Sequence, residues 1–233
     1  MSATENFKPL SKLPNFDPRR VPVLSVDSHL ESIPASELQP EALCRRFKSP
    51  PVWEPELRIE PRFTQRPAVA ASVLIPIVSH AEPTVLLTQR SHKLSNHSGQ
   101  ISFPGGKSEA SDCSPYVTAL RETHEEVGLD AHLFEVLGAL PIYTTGSAFM
   151  ITPVVALIQP GFKLAPNSDE VESVFEVPLA FLMDPSNHRR HSLSSEGVMR
   201  SWFSMPYQGL KNEHFIWGAT AGILRNFYRF LSA

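Results

Sequence analysis

Eleven of the chain's 22 prolines lie in residues 1–67, and the first glycine is Gly99. Proline fixes φ and removes a backbone donor, so this segment is barred from long helices and from the middle of a sheet. One short helix is expected at Pro40–Phe47, with proline at its first turn and Leu43 and Phe47 four residues apart. Phe7, Phe16, Val21, Val23, Leu24, Val26 and Trp53 are many apolar groups for a free tail. Residues 1–67 therefore read as a stiff arm laid over a domain spanning residues 68–233, a total length that suits one domain with additions. Covering a sheet edge or forming a homodimer contact are roles open to such an arm.

From Ala68 the texture changes. Ala68–Val78 is a continuous apolar run rich in β-branched residues and reads as a buried strand, paired as a hairpin with Val85–Gln89. Further strands are expected at Ile101–Phe103, Leu133–Pro141 and Thr152–Gln159, with Arg200–Met205 at a sheet edge. Helices are expected at Val117–Val127, at Leu179–Met183 and at Ala219–Leu231. In the last of these, Ile223, Leu224, Phe227, Tyr228 and Leu231 form the apolar stripe, with Arg225, Asn226 and Arg229 outside. The polar insertion at Asn187–Val198 reads as a mobile loop. Mixed strands with few helices indicate α/β or α+β layering.

Charge and cysteine content exclude several classes. With 21 Lys and Arg against 24 Asp and Glu, the net charge is −3, too little cationic excess for non-specific nucleic-acid binding. Two cysteines cannot build a disulfide framework, and the first residues lack the apolar core of a signal peptide. Ala68–Val78, interrupted by Ser72 and Pro76, is far shorter than the roughly 20 residues of a membrane span. A cytoplasmic protein without membrane or nucleic-acid partners is expected.

The chemistry concentrates in Arg121-Glu122-Thr123-His124-Glu125-Glu126-Val127-Gly128-Leu129. On a helix, Glu122, Glu125 and Glu126 fall within an arc of about 100°, with Val117, Leu120 and Val127 expected almost opposite. Like charges three and four residues apart repel, and near a helix C-terminus the dipole disfavours them. Arg121 alone cannot neutralise three carboxylates, whereas a divalent cation can. Hard oxygen ligands suit Mg²⁺ or Mn²⁺, while Zn²⁺ ordinarily shows His or Cys. Gly105 and Gly106 permit close backbone approach to a metal or phosphate. His92, His97 and His124 read as polar surface.

This ordered set resembles the signature of the Nudix hydrolases, with Gly106, Arg121, Glu122, Glu125, Glu126, Gly128 and Leu129 in matching positions. Asp112 stands at the first acidic position, the spacer to Arg121 is one residue longer than usual, and Thr123 takes an apolar place. Asp112 is alternatively a helix N-cap, with Glu109 as the true partner. Upstream, Leu86-Leu87-Thr88-Gln89-Arg90-Ser91 through Gly99 and Phe103-Pro104-Gly105-Gly106-Lys107 resembles the extra motif of the coenzyme A diphosphatase branch. Ser95 and Lys107 stand where that motif has arginine. Weaker likeness continues through Tyr143–Thr145, Thr152–Val155 and Ile216–Thr220.

The resemblance implies a Nudix-type α/β/α sandwich with a mixed central sheet and a metal-dependent hydrolase. It implies cleavage of coenzyme A or a derivative to 3′,5′-ADP and 4′-phosphopantetheine. It places Glu122 and Glu126 as principal Mg²⁺ or Mn²⁺ ligands, with the Gly106 carbonyl as a backbone ligand. Glu125 would be a third ligand or the water base, and Arg121 would orient the carboxylates. Arg90, Lys93, Gln100 and Lys107 are the candidate substrate contacts. Glu170 or Glu172 would supply a carboxylate from outside the box. The alternatives are another nucleoside diphosphate derivative (ADP-ribose, NADH or a dinucleoside polyphosphate) or a nucleotide-sensing module without catalysis.

Overall fold

The computed structural model describes Leu10, Leu13 and residues 16–94, 98–195, 197–210 and 212–233. Phe7, Ser95 and His97 lie outside the described residues. In chain order the elements are β1 (Val23–Val26), α1 (Pro40–Lys48), β2 (Val69–Val78), β3 (Thr84–Arg90), β4 (Ile101–Ser102) and β5 (Gly105–Lys107). Next come α2 (Pro115–Val127), β6 (Phe134–Ala139), β7 (Tyr143–Thr144), β8 (Phe149–Ile158), β9 (Val171–Pro178) and α3 (Leu179–Leu182). The chain finishes with β10 (Arg189–Ser195), β11 (Val198–Gln208), β12 (Glu213–Trp217) and α4 (Gly218–Leu231).

The apolar run expected as a strand is β2, and its lack of alternation reflects burial on both faces. It runs parallel to β8 along its whole length, from Val69 opposite Phe149 to Val78 opposite Ile158. The expected hairpin with β3 is confined to two pairs, Ile77 with Val85 and Val78 with Thr84. Beyond them β3 pairs antiparallel with β9. This mixed sheet places alternate residues on opposite sides. Leu74, Val78, Leu86, Val154, Ala156 and Ile158 pack in the clusters that also hold Ala119, Val127 and Leu129 at α2. Ile75, Ile77, Val85, Leu87, Val155 and Leu157 face a larger core shared with α4 and with Phe203, Met205 and Ile216. The fold is α+β with a mixed central sheet, covered by α2 on one face and by α4 with a second sheet on the other.

That second sheet, antiparallel in the order β1-β10-β11-β12, corrects two expectations. Residues 187–198 are not a loop: most of them form β10, which pairs with β11 from Arg189 opposite Ser204 to Ser195 opposite Val198. The strand expected at an edge, β11, lies between β10 and β12. Here the arm is built in, since β1 adds itself to β10. A polar stretch becomes a strand because its neighbours, not its own hydropathy, satisfy its backbone.

The arm is fastened elsewhere too. Phe47 of α1 meets Phe227 and Phe230 of α4 at ring-centroid distances of 6.4 and 4.8 Å. Arg46 donates to the Leu231 and Ala233 carbonyls at the end of α4. The Asn226 side chain accepts from the Leu57 N–H and donates to its carbonyl. Arg225 and Asn226 are consequently 2% and 3% exposed, not on an outer face as expected, because the arm covers that side of α4.

Candidate active site

The helix α2 starts at Ser114, whose hydroxyl accepts from the Val117 N–H, with Pro115 at its first position. It ends at Gly128, where φ is 75°, a left-handed conformation suited to glycine. Asp112 is therefore not the N-cap. Its carboxylate takes a fork from Arg121, Nε to Oδ1 at 3.1 Å and Nη2 to Oδ2 at 2.9 Å. It also accepts from the Thr118 hydroxyl and the Glu109 N–H. Arg121 above all holds this carboxyl well below the usual carboxylate range. Glu109 stands further off, 4.0 Å from Arg121 Nη1.

The remaining guanidinium nitrogens tie the cluster together. Arg121 Nη1 donates to Glu122 at 3.1 Å and to Glu125 at 3.0 Å, while Nη2 also donates to the Lys107 carbonyl. One arginine thus fixes two of the three glutamates against β5, which carries Gly106.

The helix is rotated from its expected setting. Thr118, Ala119, Thr123, Glu126 and Val127 are buried, whereas Val117 is 38% exposed. The short polar side chains are tolerated inside because each hydroxyl is satisfied, Thr123 by the Ala119 carbonyl at 2.7 Å and Thr118 by Asp112. The rotation drives Glu126 inward, to 3% exposure. Its carboxylate accepts from the Gly105 N–H at 3.2 Å and lies 3.8 Å from Arg90 Nη1. Burial pushes Glu126 up to about 7, against the pull of Gly105 and Arg90 and with Glu122 and Glu170 adding repulsion. Burial also raises Glu122, opposed by Arg121 and reinforced by Glu125 and Glu170.

Gly106 packs against the Glu122 carboxylate so closely that an added Cβ would collide with it. Glu122 and Glu126 thus converge on Gly105 and Gly106, where the chain turns at Pro104 into β5. The charge of Glu170 acts on both from the loop that packs against the end of α2, where Ala165 and Asn167 donate to the Val127 and Glu126 carbonyls. Glu172 is exposed on β9. Among the described residues no three acidic, histidine or cysteine side chains are closed into a ready metal cluster.

Beside this turn lies a cavity of about 430 Å³. Arg90, Gln100, Gly105, Gly106 and Lys107 line it near the box, and Glu60, Pro61 and Phe63 of the arm form another wall. Lys93 is not among its lining residues and instead pairs with Asp169 at 3.4 Å, both largely exposed. His124 likewise pairs at the surface, with Asp130. Arg200, Trp202 and Trp217 are among the lining residues absent from the sequence-based candidates. The signal was faint: Arg200 and Trp202 share a face of β11 by their spacing of two, but that face looked like an edge.

A model of the NUDIX domain matches residues 66–196. The chain is 41% identical over 159 residues to a Citrobacter koseri protein named Uncharacterized Nudix hydrolase NudL, across 66% of this chain and 79% of that one. The protein of the same name from Photorhabdus laumondii is 40% identical over 154 residues, 66% and 80% of the two chains. That from Escherichia coli K12 is 40% identical over 159 residues, 66% and 79%. Among solved structures, a C. elegans Ap4A hydrolase complex aligns with a TM-score of 0.42 at 19% identity, over 50% of this chain and 86% of that one.

Proposed function

This chain belongs to the Nudix hydrolase family, and from that premise we propose that it cleaves the diphosphate of coenzyme A or its acyl derivatives, releasing 3′,5′-ADP and 4′-phosphopantetheine or its acyl form. One observation carries the choice of substrate class. The segment resembling the coenzyme A diphosphatase motif and the glutamate box converge, with Arg90 3.8 Å from Glu126 and with Arg90, Gln100 and Gly105–Gly106 lining one cavity. Ser95 and Lys107, standing where that motif has arginine, favour the second reading, a hydrolase of another nucleoside diphosphate derivative. Lys107 keeps the charge of the arginine it replaces but not its fork.

The donor set fits a divalent cation. Glu126 is a buried carboxylate and Glu122 a half-buried one, both raised in part by the charge of Glu170, and Glu122 sits in a cradle that only glycine at 106 leaves open. Glu122 and Glu126 would hold Mg²⁺ or Mn²⁺, with Glu125, Glu170 and the Gly106 carbonyl as further oxygen donors. When bound, such an ion polarises diphosphate oxygens and lowers the pKa of a coordinated water. The chain's own groups set the stage. Arg121 holds Glu122 and Glu125 in place, and the Gly105 N–H orients Glu126. Glu125, 53% exposed in its side chain, is placed to accept a proton from water. Arg90 and Lys107 offer positive charge to the diphosphate.

Incubation of the full chain with Mg²⁺ and coenzyme A, ADP-ribose, NADH, dinucleoside polyphosphates and nucleoside triphosphates tests this, with a chelator control. Preference for coenzyme A compounds, abolished by the chelator and restored by Mg²⁺ or Mn²⁺, is expected. Equal or better turnover of ADP-ribose or the dinucleotides would move the assignment to the second reading.

A further inference from the structure

The four-stranded sheet and α4 bury two arginines, Arg225 and Arg200, to very different effect. Arg225, 2% exposed, has each guanidinium nitrogen partnered: Nε by Glu56, Nη2 by Asp27 and Nη1 by His188. Arg190 joins the same two carboxylates. Arg200 is 7% exposed, yet neither Nη1 nor Nη2 has a hydrogen-bond partner among the described residues, and no carboxylate there forms an ion pair with it. A buried guanidinium without an acceptor costs several kcal/mol, so the arrangement points to an acceptor that the described residues do not supply.

The surroundings define its chemistry. Arg200 and Trp202 project from the same face of β11, about 7 Å apart along the strand, and both line the cavity beside Gly105 and Gly106. The Trp202 indole N–H is also buried and has no hydrogen-bond partner among the described residues. The Arg200 guanidinium sits 6.0 Å from the centre of the Phe63 ring, contributed by the arm. Phe63 is itself pinned by its N–H to the Gly146 carbonyl at 3.0 Å. The carboxylate nearby in the lining, Glu60, is already engaged by the Tyr143 hydroxyl at 2.7 Å and the Gly146 N–H at 2.9 Å. Among the described residues, Arg200 Nη1, Arg200 Nη2 and Trp202 Nε1 are thus left without an acceptor on this side of the cavity.

We infer that Arg200, assisted by the Trp202 indole, binds a phosphate monoester carried by the substrate apart from the diphosphate that is cleaved. A phosphate monoester matches the donors better than a carboxylate, since it offers three acceptor oxygens and up to two charges. The inference rests on the proposal that the cavity receives the nucleotide part of the substrate. In that orientation the group is the phosphate on the ribose, and Arg200 is a specificity-determining residue. It also gives the arm a task, because the Phe63 ring lies 6.0 Å from that guanidinium.

Isothermal titration of the full-length chain in Mg²⁺ buffer with 3′,5′-ADP and with 5′-AMP separates this contact from the rest of the site. The wild type is expected to prefer 3′,5′-ADP by at least about tenfold. Arg200→Gln is expected to bring the two affinities together, and Arg200→Lys to keep part of the preference. Equal affinities in the wild type would overturn the inference, whether or not the variants fold. So would an Arg200→Gln variant that weakens both ligands by the same factor, since that is how a merely structural residue behaves. If coenzyme A is not cleaved but 3′,5′-ADP still outbinds 5′-AMP through Arg200, the proposed reaction fails while the phosphate site stands. If coenzyme A is cleaved and the affinity ratio is one, only the phosphate site fails.

Discussion

Around α2, one arginine is divided among Asp112, Glu122 and Glu125, while Glu126 is left with a backbone N–H and a 3.8 Å approach from Arg90. Under the arm, Asp27 and Glu56 meet Arg190 and Arg225 two against two. Both clusters are at least partly buried and both join distant parts of the chain. They differ in balance. The second set neutralises itself, and aromatic rings complete it: Arg190 lies 4.5 Å and Arg225 5.1 Å from the centre of Phe203. The first carries more negative charge than its arginines offset, and two of its acids are pushed upward. Self-neutralised charge holds a fold together, whereas surplus buried charge marks a place that binds something of opposite sign.

The contrast breaks most readily at Arg225. Arg225→Ala leaves Asp27 and Glu56 facing one arginine at the surface edge, and is expected to lower stability by about 3–5 kcal/mol. Urea unfolding monitored by tryptophan fluorescence checks this. A change below about 1 kcal/mol would mean that the balanced ion-pair cluster contributes little to holding the arm.

The second test is pH. Burial foremost, together with the Arg225 charge, pushes His188 down to about 4, against about 6.5 in an unfolded chain. Between these values the unfolded state binds the extra proton. The stability from neutral His188 is therefore complete above about pH 6.5 and is lost as pH falls towards 4, by on the order of 2–3 kcal/mol. His188→Gln is expected to flatten that part of a stability–pH curve, and an unchanged slope would contradict the assignment.

The smallest effect is expected at Lys93, paired with Asp169 in solvent. Lys93→Ala should change stability by less than about 0.5 kcal/mol and leave kcat/KM for coenzyme A nearly unchanged. A large rise in KM would restore Lys93 to the substrate contacts suggested by its place in the upstream motif.

What the sequence disclosed follows the same division. The box on α2 is local: Arg121, Glu122, Glu125 and Glu126 lie within two turns, and their spacing alone shows that they belong together. The strands β2 and β8 were legible because burial on both faces leaves an apolar run. The balanced cluster was not. Asp27, Glu56, Arg190 and Arg225 come from four separated segments, and nothing near Arg225 signals that residues 27 and 56 will cover it. Arg190, His191 and Ser192 look like a solvated loop until β1 and β11 flank them. Even within α2 the rotation was missed, because Thr118 and Thr123 are buried only by virtue of hydroxyl partners, one of them Asp112.

The most direct measurement joins turnover and stability on one variant, Glu126→Gln, assayed with the best substrate of the panel in Mg²⁺ and followed by thermal unfolding. Turnover is expected to fall at least about a hundredfold. The melting temperature should be unchanged or higher, because a neutral amide is less costly to bury there than a crowded carboxylate. Near-normal turnover, or a melting temperature lowered as by Arg225→Ala, would show that the α2 glutamates are a structural cluster like the one beneath the arm.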